Sequence, residues 1–107
     1  MSDLPIAAVI PAAGYASRMG RFKPLLPLGN RRVIDRVVSL YRNTGVTEII
    51  VVTGHRADEL TARLASMGVR FAFNPDHDQG MLSSVTTGVA RLSGSAEATF
   101  VHPADIP

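Results

Sequence analysis

Four short apolar runs, Ile6–Ile10, Glu48–Thr53, Val69–Phe73 and Ala98–His102, most narrow what this chain can fold into. Each is rich in Val, Ile or Phe with little polar alternation, the pattern of strands covered on both faces. Stretches with helical spacing lie between them. Val33, Ile34, Val37, Val38 and Tyr41 mark one face, ended by Asn43-Thr44-Gly45. Leu60, Leu64 and Met67 mark a second, ended by Gly68, and Leu82, Val85, Val89 and Leu92 a third, ended near Gly94. All three stripes are expected to be core. Strand then helix, three times over, followed by a fourth strand, predicts an α/β fold: a Rossmann-like three-layer parallel sheet with right-handed crossovers.

With 107 residues the chain is read as one domain, residues 1–107. A doubly wound sheet normally continues beyond a fourth strand, so this one is expected to be the N-terminal half of a larger domain, truncated on its C-terminal side. An apolar share of 46% suffices for a core, and the lack of cysteine excludes disulfides and thiolate metal sites. The net charge is +2, and the basic residues are scattered rather than interleaved with aromatics. That balance favours anionic small molecules over nucleic acid. The first apolar run is too short for a signal peptide or a membrane span, which leaves a cytoplasmic location as the default expectation.

Ligands of open α/β sheets bind beyond the carboxyl ends of the strands, where strand order reverses. If the second and third strands lie to one side of the first and the fourth to the other, that point falls between the first and the fourth. The first strand runs into Pro11–Leu28, a loop holding Gly14, Gly20, Arg18 and Lys23. Backbone N–H groups and two cations in such a loop suit phosphate oxygens. The fourth strand runs into His102-Pro-Ala-Asp-Ile-Pro107, whose carboxylate, Asp105, suits Mg²⁺ and its oxygen ligands. Two familiar phosphate motifs fail. Gly20 comes one residue late for a P-loop and is followed by Arg21, and Ala16 and Met19 replace the second and third glycines of a dinucleotide fingerprint.

Ala12-Ala13-Gly14, Arg18-Met19-Gly20, Lys23 and Leu25-Leu-Pro-Leu28 together resemble the nucleotidyltransferase superfamily. Within it they resemble the branch of the molybdenum cofactor guanylyl- and cytidylyltransferases. Asn74-Pro-Asp76 and Gly80-Met-Leu-Ser-Ser84 resemble the family's segment over base and ribose, and Asp105 with Pro107 resembles its metal-binding Asp-x-Pro. Ala16 departs from the usual serine, and Pro103-Ala104 is an unusual lead-in to Asp105.

The resemblance implies a nucleotide-diphospho-sugar-transferase type of domain. It implies Mg²⁺-dependent transfer of CMP or GMP from CTP or GTP to a phosphorylated, pterin-based acceptor, with release of pyrophosphate. Arg18, Lys23 and Asp105 would be catalytic. Ala12, Ala13, Gly14, Arg18, Lys23, Asn74, Gly80 and Ser84 would bind nucleotide. Asp105 would hold the metal, together with a second aspartate beyond Pro107.

Plainer readings stand beside these. Asp105 suits a helix cap, Asn74-Pro-Asp76 a turn after the third strand, and Ser83 or Ser84 the start of a helix. His55, His77 and His102 lack ligand spacing. Pro11–Gly14, Ser84-Val85 and Val101-His102 also resemble the cytidylyltransferases of isoprenoid precursor synthesis, and Lys23–Leu26 the sugar-phosphate nucleotidyltransferases. A non-catalytic nucleotide-binding fragment or fused regulatory domain is the remaining alternative. Base, acceptor and oligomeric state stay open.

Overall fold

The computed structural model describes residues 6–13, 27–28, 31–54, 56–76, 80–92, 94 and 98–102. Strand β1 (Ile6–Pro11) leads to a two-residue antiparallel ribbon, β2 (Pro27–Leu28) and β3 (Arg31–Arg32). Helix α1 (Val33–Asn43), β4 (Glu48–Thr53), α2 (Ala57–Leu64), β5 (Arg70–Phe73), α3 (Met81–Ala90) and β6 (Ala98–Val101) follow. The four apolar runs are therefore strands, within a residue or two of the expected bounds. The β2–β3 ribbon was not foreseen, because two-residue strands carry no hydrophobic period.

The main sheet has the order β5-β4-β1-β6, and every pairing in it is parallel. Val9 pairs with Ile50 on one side and Val101 on the other, which puts β1 in the middle of the hydrogen-bond ladder. Ala7 to Ile10 and Ile49 to Val52 are buried, so both central strands are covered on both faces. Alternate residues divide between two cores. Ala8, Ile10, Ile49 and Val51 join Val33, Ile34, Val37 and Val38 of α1 and Leu60 and Leu64 of α2. On the opposite face, Val9, Ala13, Ile50, Val52 and Ala72 form a second cluster with Leu92 against it. Each fully buried Ile, Leu or Val of these clusters contributes roughly 1.5–3 kcal/mol. The result is three layers, as expected: α1 and α2 on one face, α3 on the other. A crossover of fixed hand accounts for the switch of face, since β1→β4→β5 steps one way and β5→β6 returns past both.

Helix ends follow the glycines. Gly45 (φ 84°) ends the turn after α1, and Gly68 (φ 73°) the turn after α2. There Arg42 Nη2 donates to the carbonyl oxygens of Met67 and Gly68, each at 2.6 Å, and so ties the turn after α2 to α1.

Helix α3 corrects one expectation. Leu82 is 77% and Val89 47% exposed, whereas Ser84 and Gly88 face the sheet. Of the expected stripe, only Val85 and Leu92 are partly covered. The cause is distance. A Cβ on Gly88 would stand 2.9 Å from Val52 Cγ2 and closer still to Val9 Cγ1. A helix seated this near a sheet has room for small residues only, and its large side chains turn outward.

Candidate functional site

Every strand of the main sheet points its carboxyl end to one edge, and the backbone there is held by continuations of the ladder. Ala12 N donates to Val52 O (2.9 Å), Asn74 N to Thr53 O (2.7 Å) and His102 N to Val9 O (3.0 Å). Strands β1 and β6 are neighbours, so their exits leave side by side at the point where strand order reverses. Ala12 (3% exposed) and Ala13 (1%) line the β1 exit, one in each core cluster.

The start of α3 reaches the same edge. Gly80 precedes it with φ 99° and ψ 177°, a conformation that L side chains rarely adopt, and among the described residues nothing lies within 4 Å of where its Cβ would stand. Behind it lies a compact polar network. Asn74, which is buried, donates from Nδ2 to Ser83 Oγ and Ser84 Oγ, each at 3.0 Å. Its Oδ1 accepts from Asp76 N at 2.9 Å, closing the turn after β5. Ser83 donates to Gly80 O (2.9 Å) or Asp76 O (3.1 Å). The turn reading of Asn74-Pro-Asp76 is thus realised, and the amide of Asn74 is spent inside the protein.

On the other face, His102 Nδ1 lies 2.8 Å from Tyr41 Oη of α1, with the two rings edge to face. Phe100 stacks at a tilt on the same tyrosine. Burial pushes the Tyr41 hydroxyl above its ordinary pKa. This cluster ties the end of β6 to α1. Nearby on the α1–α2 surface, Arg63 forks onto the buried Asp35 carboxylate, which holds the guanidinium charged and leaves a shallow cavity of about 260 Å³ between the helices. That cavity belongs to helix packing rather than to the carboxyl edge.

The structure therefore places Ala12, Ala13, Asn74, Gly80 and Ser84 at one edge, with Asn74 and Ser84 in direct contact. Gly14, Arg18, Lys23 and Asp105 lie outside the described residues. Among the described residues no three His, Cys, Asp or Glu gather as a metal site, and no helix is long and apolar enough to cross a membrane. Sequence reasoning missed Gly88, which seats the helix that carries Ser84. The available signal was the small-residue spacing Ser84-x-x-x-Gly88.

Comparison with known proteins shows what the chain as a whole is similar to. Residues 8–107 match the model of the MobA-like NTP transferase domain. The molybdenum cofactor cytidylyltransferase of Escherichia coli is 35% identical over 103 residues, which cover 95% of this chain and 52% of that protein. A nucleotidyl transferase from Methanothermobacter superposes with a TM-score of 0.87 at 36% identity, over 96% of this chain and 51% of that one. The nicotine blue oxidoreductase of Paenarthrobacter nicotinovorans is 34% identical over 91 residues, 83% of this chain and 45% of its own. The chain thus spans about half the length of these relatives.

Proposed function

The chain belongs to the MobA-like NTP transferase family, and from that premise we propose that it binds a nucleoside triphosphate at the carboxyl edge of its sheet and serves transfer of the nucleoside monophosphate. The donor is CTP or GTP, the acceptor a phosphorylated small molecule of the molybdopterin type, and the by-product pyrophosphate. The observation that carries the reading is the convergence at one edge of the β1 exit, the β6 exit and the first turn of α3.

In this reading the triphosphate lies along Ala12–Lys23, where backbone N–H groups, the Arg18 fork and the Lys23 ammonium meet its oxygens. The base lies toward Gly80 and Ser84. Asp105 follows the last ladder residue by three positions, and its carboxylate has the oxygen chemistry that Mg²⁺ prefers. Such an ion supplies charge neutralisation on phosphate oxygens when bound. The chain's own part is positioning and electrostatics: Arg18 and Lys23 offset charge gathering on the departing pyrophosphate, and no side-chain nucleophile is required.

The relative from Paenarthrobacter nicotinovorans gives a second reading, an oxidoreductase. Ala16 and Met19 stand against a dinucleotide fingerprint in this chain. Incubation with α-labelled CTP or GTP, Mg²⁺ and phosphorylated pterin acceptors separates the two. Pyrophosphate release with label transfer is the expected result. Triphosphate binding without pyrophosphate would leave a binding module, and dinucleotide oxidation in a parallel incubation with a reduced nicotinamide dinucleotide and an electron acceptor would favour the oxidoreductase.

A further inference from the structure

The carboxamide of Asn74 has two N–H donors and one oxygen, and all three are occupied inside the protein. Its orientation is not arbitrary. The group facing it from Asp76 is a backbone N–H, which can only donate, so the oxygen must point that way and the NH₂ must point to the serines. The two serines then differ. Ser83 Oγ has carbonyl oxygens of Gly80 and Asp76 within reach for its own hydrogen. Ser84 Oγ accepts from Asn74, and its hydrogen meets no acceptor among the described residues, although Ser84 is only 3% exposed. A buried hydroxyl hydrogen in that state is costly unless an acceptor comes to it.

We propose that Asn74 is a positioning residue that never touches the ligand: by occupying the acceptor side of Ser84 Oγ, it leaves the serine hydrogen as a donor for an acceptor atom on the nucleobase. The inference rests on the nucleotide reading above and changes the part assigned to Asn74. A carbonyl oxygen or unprotonated ring nitrogen of the base is the matching chemistry. Asn74 sits at the end of β5 and Ser84 one turn into α3, so the hydrogen bond between them also joins the sheet to that turn.

The substitution Asn74→Asp separates positioning from contact. Aspartate keeps an oxygen for Asp76 N–H but only accepts, so both serine hydroxyls must turn their hydrogens toward it. The donor of Ser84 is then consumed inside the protein. The quantity to measure, by calorimetry on this chain, is the affinity for CTP and for GTP relative to inorganic tripolyphosphate, which cancels the effect of the added charge on the phosphates. For the preferred nucleotide, Ser84→Ala should lower that ratio roughly three- to tenfold, the size of one hydrogen bond. Asn74→Asp should lower it equally, and the double variant no further. Ser83→Ala, whose hydroxyl is already committed, should leave the ratio unchanged, and this arm holds even if position 74 tolerates no change.

Additive losses in the double variant, a wild-type ratio in Asn74→Asp, or equal losses at Ser83 and Ser84 would overturn the proposal. A wild-type chain with no preference for either nucleotide over tripolyphosphate would instead remove the nucleotide reading, and the proposal with it.

Discussion

Replacing Gly88 by alanine tests how closely α3 rests on the sheet, and two opposed effects set its size. In a helix interior, alanine is better than glycine by about 0.8–1 kcal/mol, so an unconstrained site would gain stability. Here the new Cβ would meet Val52 Cγ2 at 2.9 Å and Val9 Cγ1 nearer still, against a usual carbon–carbon separation of about 3.5–4.0 Å. Neither methyl has anywhere to go: Val9 and Val52 are fully buried in the two central strands. The helix itself must lift, which opens the cluster of Val9, Ala13, Ile50, Val52 and Ala72. Overpacking of this kind costs about 1–3 kcal/mol. With a clash against two rigid neighbours, the upper half of that range applies. Net destabilisation of about 1–2 kcal/mol follows once the propensity gain is subtracted. Urea unfolding should show a lower midpoint with an unchanged slope. Val89→Ala, one residue on but half-exposed, should move the midpoint much less. A Gly88→Ala chain as stable as wild type, or more so, would refute the close seating and with it the reason that α3 turns its large residues outward.

Other perturbations probe separate parts of the molecule. Gly68→Ala should cost about 1 kcal/mol, because φ is 73° there and the new Cβ would run into the Arg42 guanidinium that closes the turn; a thermal melt checks it. Tyr41 carries a pKa raised by burial, so its contribution is complete below about pH 10 and is lost as pH climbs from there through the folded-state value. Unfolding free energies compared between wild type and Tyr41→Phe from pH 8 to 11 should therefore diverge only at the alkaline end, and parallel curves would contradict the assignment. If the triphosphate lies along Ala12–Lys23, Lys23→Ala should weaken CTP or GTP binding roughly ten- to a hundredfold with little change in stability; unchanged affinity would take that lysine out of the site.

Much of the architecture was legible because it rests on large side chains. Ile10, Ile50, Val51 and Val52 announce strands buried on both faces, and Val33 to Val38 announce a helix with one apolar stripe. The order of strands made the carboxyl edge the place to look, and the β1 and β6 exits do leave it as neighbours. The third helix was misread for a physical reason. Hydrophobic periodicity finds large residues, and α3 approaches by small ones, so Leu82 and Val89 marked the solvent face instead of the core. Asn74 was legible as a turn residue, but not as a partner of Ser83 and Ser84. That contact depends on how β5 hands the chain to α3, which no local pattern encodes.

The seat of α3 has a bearing on attempts to redesign this edge. Ser84 and Gly88 lie one turn apart on the same inward stripe, so the surface that seals the interior also carries the hydroxyl proposed to meet the base. A mutant library that diversifies position 84 for altered base selectivity would therefore lose many members to misfolding before selection began. Met81 and Leu82, half-exposed or more at the start of the same helix, can be varied at far smaller cost to the interior.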